Sequence, residues 1–149
     1  MTCPFCDIDH QKTKIIQTNQ RTYVAFSNPR LTPGHLLVIP KRHVERLSEL
    51  AENERRELWE TVITYQEKII ASISPGCDIR QNYRPFQKQS RLKVDHLHIH
   101  LIPRTYRDEI YQVTQLREKD LFQDLDEFEV KKILLLLDKK KFVWNNECG

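Results

Sequence analysis

Between Asp95 and Pro103 the chain reads Asp-His-Leu-His-Ile-His-Leu-Ile-Pro, with histidine at 96, 98 and 100 and an aliphatic residue after each. Strict alternation of this kind is the pattern of a β-strand with one buried face, and it excludes a helix, whose repeat is near 3.6. In a strand, residues at i, i+2 and i+4 share a face, so the three imidazoles line one surface while Leu97, Ile99 and Leu101 enter the core behind them. Histidine titrates nearest neutrality, so such a row can supply a neutral nucleophile with hydrogen-bonding neighbours. Histidines on a strand also ligate metals. The run by itself serves either chemistry.

The remaining pattern places this strand in a mixed fold. Ile15–Ile16 and Thr22–Phe26 are β-branched or aromatic runs around the polar segment 18–21, which predicts a hairpin. A loop from Asn28 to Gly34, punctuated by Pro29 and Pro33, leads into the apolar run His35–Ile39, bounded by Pro40 as a buried strand would be. From about Leu50 to Ile73, apolar residues at 58, 59, 62, 63, 69, 70 and 73 predict one long amphipathic helix stopped by Pro75–Gly76. Asp78–Tyr83 and Val94–Ile102 read as further strands, the second closed by Pro103. A charged stretch follows, and Asp124 with Glu127 three residues on predicts the start of a helix reaching about Asp138. The class is therefore α+β, a mainly antiparallel sheet with one long helix and a C-terminal helical extension.

Composition narrows the function. The 149 residues suit one domain, and a net charge of +3, from 24 basic and 21 acidic residues, is too small and dispersed for a nucleic-acid footprint. The longest apolar stretch, Ile133–Leu137, falls far short of the roughly 20 residues that span a bilayer. With no basic-then-apolar leader, the expected location is the cytoplasm, away from membranes. Four cysteines, Cys3, Cys6, Cys77 and Cys148, are spaced poorly for a disulfide framework. Cys3-Pro-Phe-Cys6 has instead the two-residue spacing of a zinc knuckle, which needs two further ligands.

Two ordered motifs carry a family resemblance. Pro33-Gly-His-Leu-Leu-Val-Ile-Pro-Lys-Arg-His43 and His96-Leu-His-Ile-His-Leu-Ile-Pro-Arg104 resemble those of the histidine triad (HIT) family of nucleotide hydrolases and transferases. The resemblance covers about Cys3 to Arg104, which assigns residues 1–104 to a HIT domain and 105–149 to a C-terminal extension, helical and packed on the same domain. It implies a HIT-like fold, a homodimer, and purine nucleotide substrates cleaved at the α-phosphate. Dinucleoside polyphosphates and nucleoside phosphoramidates both belong to that class.

Position by position, the resemblance makes His98 the nucleophile and His100 a phosphate-binding neighbour, with His35 orienting the nucleophile through a hydrogen bond. Asn28 falls where the family places a ribose contact, though a loop Asn before proline also forms turns. The family's glycine-rich stretch before the triad is replaced here by residues 81–95, which contain no glycine. Gln89, Ser90 and Lys93, with Arg84, Lys88 and Arg91, are the side chains available to meet phosphates there. Members of bacterial type share the cysteine pair, and the resemblance completes its ligand set with His43 and His96. The expected cofactor is one structural zinc held by Cys3, Cys6, His43 and His96, with no metal needed for the chemistry.

Two other readings compete. In one, His96, His98 and His100 hold a catalytic metal in a metal-dependent hydrolase; against it, alternate residues on a strand stand about 6–7 Å apart and converge poorly on one ion. In the other, the protein is a nucleotide-binding module with vestigial activity that docks partners through Leu125, Phe128, Leu135 and Leu136 of the tail helix.

Overall fold

The computed structural model describes residues 2–138; Cys148 and the rest of segment 139–149 lie outside the described residues. The hairpin forms where the β-branched runs place it, with β1 at Ile15–Thr18 and β2 at Thr22–Phe26. The turn between them is closed by a hydrogen bond from the Asn19 N–H to the Thr22 carbonyl, 2.8 Å. β3 (Leu36–Pro40) pairs antiparallel with β2 from Thr22↔Pro40 to Phe26↔Leu36. The long helix α1 spans Glu52–Ser72, and β4 (Gly76–Arg80) follows within a few residues. β5 (Ile99–Arg104) inserts between β3 and β4, so the sheet order is β1-β2-β3-β5-β4 with every neighbour antiparallel.

Alternation then sorts the side chains into two layers. Val24, Leu36, Val38, Leu97, Ile99 and Leu101 face α1 and pack with its Leu58, Val62, Tyr65 and Ile69. Tyr23, Ala25, Leu37 and Ile39 point to the other side, where Phe5 and Ile8 of the N-terminal segment and Ile15 cover them. That cover ends at β3. The opposite face of β5 and β4 carries the histidines.

The helix is anchored through its first two turns. Ala51 N–H donates to the Glu54 carboxylate at 2.9 Å, which also takes an ion pair from Arg42 at 2.7 Å, so the first turn is tied to the segment after β3. Further along, Glu57 accepts from the Arg21 N–H and the Thr22 hydroxyl, both at 2.8 Å, locking α1 onto the hairpin turn. Only part of the expected apolar face is buried. Trp59, Ile63, Ile70 and Ile73 form an adjacent stripe that stays exposed, because the sheet meets α1 along the 58, 62, 65 and 69 line.

Two predicted strands are shorter than their alternation. The β5 ladder starts at Ile99, not at Val94: the pairing with β3 ends at Val38↔Ile99, and the Leu97 N–H bonds beyond β3, to the Val44 carbonyl at 2.6 Å. β4 stops at Arg80, not at Tyr83, since Arg80 already pairs with His100 near the start of β5. Leu97 remains buried at 2% exposure, so the in-and-out alternation continues through the segment without the ladder.

The described residues divide into two compact units, one ending at Tyr106 and the other beginning at Arg107. The second contains a π-helical stretch Tyr111–Gln115, a single turn α2 at Leu116–Glu118, a 3-10 turn Lys119–Leu121 and the helix α3 at Glu127–Asp138. The expected tail helix is thus present, but its first turn is capped by Asp126 and not Asp124: the Asp126 carboxylate accepts the Phe128 N–H at 3.1 Å. No residue of α3 is buried. Among the described residues, no helix is long and apolar enough to cross a membrane.

Candidate active site

His35 precedes β3, and its placement depends on Gly34. Gly34 has φ +84°, a left-handed conformation that side chains resist, and a Cβ there would press within 3.2–3.3 Å of Ile73 and Pro103. The turn delivers His35, 3% exposed, beside β5. Its Nε2 lies 2.9 Å from Nδ1 of His100. The expected partner is His98, so this is a correction: β3 and β5 are registered Leu37↔His100, which brings His35 toward the third histidine of the run.

Backbone donors settle the tautomers around this pair. The Leu31 N–H points at His35 Nδ1 at 3.0 Å, and an amide can only donate, so that nitrogen accepts and the proton sits on Nε2. His35 Nε2–H then donates to His100 Nδ1, which leaves the neutral His100 with its proton on Nε2. The other chain begins at the His96 carbonyl, 2.6 Å from His98 Nδ1. A carbonyl only accepts, so His98 carries its proton on Nδ1 and presents a lone pair on Nε2. The rings of His98 and His100 meet edge to face with centroids 4.7 Å apart. One face therefore offers a nucleophilic lone pair beside an N–H donor.

Burial keeps these rings neutral. Desolvation, reinforced by the Arg80 and His98 charges, pulls His35 down to about 4. Desolvation, with His98, His35 and Arg80 adding to it, takes His100 down to about 3. His98 is also lowered by burial, against the opposing hydrogen bond to the His96 carbonyl.

The first histidine of the run belongs to a different cluster. His96, 1% exposed, turns its Nδ1 to within 3.3 Å of Cys3 Sγ and 3.4 Å of Cys6 Sγ, and its Nε2 lies 2.7 Å from the Pro40 carbonyl. Cys6 Sγ is also 3.4 Å from His43 Nδ1. The four ligand atoms of Cys3, Cys6, His43 and His96 all fall within 4.8 Å of one another. Zn–S near 2.3 Å and Zn–N near 2.05 Å give a tetrahedral S···N edge of roughly 3.5 Å, so the donor set and its spacing fit a zinc ion. The Pro40 carbonyl fixes the tautomer a ligand needs, with the proton on Nε2 and the lone pair on Nδ1.

The remaining predicted residues do not converge on the histidines. Asn28 is exposed in the β2–β3 loop. Gln89 accepts the Asp95 N–H at 3.2 Å, Ser90 accepts the Leu92 N–H at 3.2 Å, and Lys93 pairs with Asp95, so all three side chains bond within their own loop. Two residues absent from the sequence-derived set do reach the site. Phe5, between the two cysteines, lies edge to face against His96 and His98, at 5.7 and 5.1 Å between centroids. Arg80 pairs across the sheet with His100. Phe5 carried a signal in its place inside the Cys-x-x-Cys loop; Arg80 carried none, because strand register is not written locally.

A family model described as HIT domain matches residues 9–107. The bifunctional bis(5'-adenosyl)-triphosphatase/adenylylsulfatase of Arabidopsis thaliana is 33% identical over 112 residues, 70% of this chain and 60% of that protein. The chain thus spans less than two thirds of that relative. The adenosine 5'-monophosphoramidase of Schizosaccharomyces pombe is 32% identical over 111 residues, 70% of this chain and 75% of that protein. A crystal structure of a HIT family protein from Bacillus subtilis superposes with a TM-score of 0.68 at 20% identity, covering 96% of this chain and 99% of the other, a likeness of fold.

Proposed function

Because the chain belongs to the HIT domain family, we propose that it is a nucleotide hydrolase or transferase that cleaves at the α-phosphate of a purine nucleoside polyphosphate or phosphoramidate. The observation that carries this reading is the pair of tautomers, which leaves His98 with a lone pair on Nε2 next to an N–H on His100. The relatives named for triphosphatase and monophosphoramidase activity on adenosine compounds support the substrate class.

In the first step, His98 Nε2 forms a bond to the α-phosphorus while the bond from phosphorus to the leaving oxygen or nitrogen breaks, and the leaving group takes its electron pair, a leaving nitrogen also taking a proton from solvent to depart as the amine. The His96 carbonyl holds the Nδ1 proton of the resulting nucleotidyl-imidazolium. In the second step, the oxygen of a water attacks phosphorus and gives up its proton to solvent, the P–N bond breaks with its electron pair returning to Nε2, and the nucleoside monophosphate departs with His98 restored. The His100 N–H stabilises charge on a non-bridging oxygen in both steps, at about 2.7–4 kcal/mol for a well-placed donor. His35 acts through His100 by fixing its tautomer.

Zinc is the cofactor we assign to Cys3, Cys6, His43 and His96, supported by their spacing. With its four positions filled by protein it would be structural, tying the N-terminal segment to the sheet. Asn28, exposed in the β2–β3 loop, is assigned to the ribose, and Gln89, Ser90 and Lys93 to shaping the loop that meets the phosphates. The exposed stripe of Trp59, Ile63 and Ile70 on α1 supports a homodimer. The thiols of Cys3, Cys6 and Cys77, free of disulfides, support a reducing cytoplasm.

The test is a rapid-quench trap with radiolabelled adenosine substrates under alkaline denaturation, followed by peptide mapping. The expected result is label on His98, and loss of label and turnover in His98→Ala. Full turnover in His98→Ala, or label trapped on another residue, would overturn it.

A further inference from the structure

Arg80 ends β4 and is the Cα partner of His100 in β5. Directly paired residues of an antiparallel ladder project from the same face, with Cβ atoms about 4.5–5.5 Å apart. Arg80 therefore stands on the histidine face of the sheet, next to the ring that carries the N–H donor. Two residues back on that face, Asp78 is already taken by Arg104. Arg42 and Lys93, cations on nearby segments, have Glu54 and Asp95. The guanidinium of Arg80, only half-buried, makes no hydrogen bond or ion pair among the described residues. Its charge acts on His35 and His100, both neutral, and neither offers it an anion.

A partly desolvated guanidinium with no counter-ion, fixed beside a phosphate site, has the fork geometry that grips phosphate oxygens in pairs. Its side of the sheet indicates which phosphate. The order β3-β5-β4 places His35 and the Asn28 loop on one side of the triad strand and Arg80 on the other. A nucleoside held on the β3 side leaves the β4 side for whatever is displaced from the α-phosphorus.

We infer that Arg80 binds the phosphate of the leaving group, and so biases this site toward polyphosphate substrates over phosphoramidates. The inference rests on the proposed nucleotidyl transfer to His98. It also accounts for the glycine-free segment 81–95, whose Gln89, Ser90 and Lys93 are spent within the loop: the cation on β4 supplies the phosphate contact that close-approaching backbone would otherwise make.

The test compares two substrates that transfer the same adenylyl group, diadenosine triphosphate with an anionic leaving group and adenosine 5'-phosphoramidate with a neutral amine. Arg80→Gln should lower the ratio of kcat/KM for triphosphate over phosphoramidate by about tenfold, the equivalent of one charge-assisted contact, chiefly through KM. Arg80→Lys should restore part of that ratio. In parallel, calorimetry with ADP and AMP should show the wild type preferring ADP and Arg80→Gln losing the preference. An equal loss on both substrates, or an unchanged ADP preference, overturns the assignment. Should the wild type turn over neither substrate, the proposed function fails, and the ADP and AMP titrations still decide for or against Arg80.

Discussion

The carbonyl oxygen of His96 lies 2.6 Å from Nδ1 of His98, so a single residue joins the cysteine cluster to the proposed nucleophile. Its ring faces Cys3 and Cys6, and its backbone fixes the proton of His98. Phe5, on the loop between the cysteines, touches both rings. The N-terminal segment thus packs against His98 as well as covering the second core layer.

Metal content follows from that arrangement. Native mass spectrometry of protein purified without chelator should show one zinc per chain, and none in a Cys3→Ser, Cys6→Ser double variant. A ligand present at a thousandfold over its Kd adds about 4 kcal/mol, which for a domain of this size is a melting temperature higher by roughly 10 °C. A metal-free wild type that melts at the same temperature as the double variant would rule the site out.

The bond between His35 and His100 is expected to act on catalysis through a tautomer. His35→Ala removes the donor to His100 Nδ1 and lets the proton move to that nitrogen, turning the donor away from phosphate. Turnover should fall by about 10–100-fold, the usual range for an outer hydrogen-bonding partner, with KM little changed. His35→Gln, whose amide nitrogen can occupy the Nε2 position, should recover part of kcat. A KM effect with constant kcat would contradict this role.

Acid should destabilise the domain through the same pair. His35 at about 4 and His100 at about 3 in the folded state compare with about 6.5 unfolded, so in that interval the unfolded chain binds more protons. Stability therefore rises with pH, is fully present above about 6.5, and is lost progressively as pH falls from there toward the folded values. Urea midpoints measured from pH 7.5 to 4.5 should decline across this window, and His35→Gln, with one such group fewer, should decline less steeply. Identical slopes in the two proteins would refute the assignment.

Much of this molecule is legible in short stretches of sequence. Alternation at 96–101 separates Leu97, Ile99 and Leu101 from the histidines whether or not the ladder reaches them, because the period of two belongs to extended backbone itself. The hairpin, the buried strand before Pro40 and the helix ended by Pro75–Gly76 likewise depend on local periodicity and on residues that interrupt it. The ligand set Cys3, Cys6, His43 and His96 came from a family resemblance, and the fold brings those four together.

What only the tertiary structure decided is who faces whom. Strand register pairs Leu37 and Arg80 with His100, and it gives His35 a different partner from the expected one. The same packing selects one of two apolar stripes on α1 for burial and leaves Trp59 and Ile63 outside. A sequence specifies the spacing of side chains along one strand or helix through backbone geometry. The proton position on His98 is set locally by the His96 carbonyl, whereas that on His100 depends on the Leu31 amide acting through His35, contacts from another segment that exist only once the chain has folded.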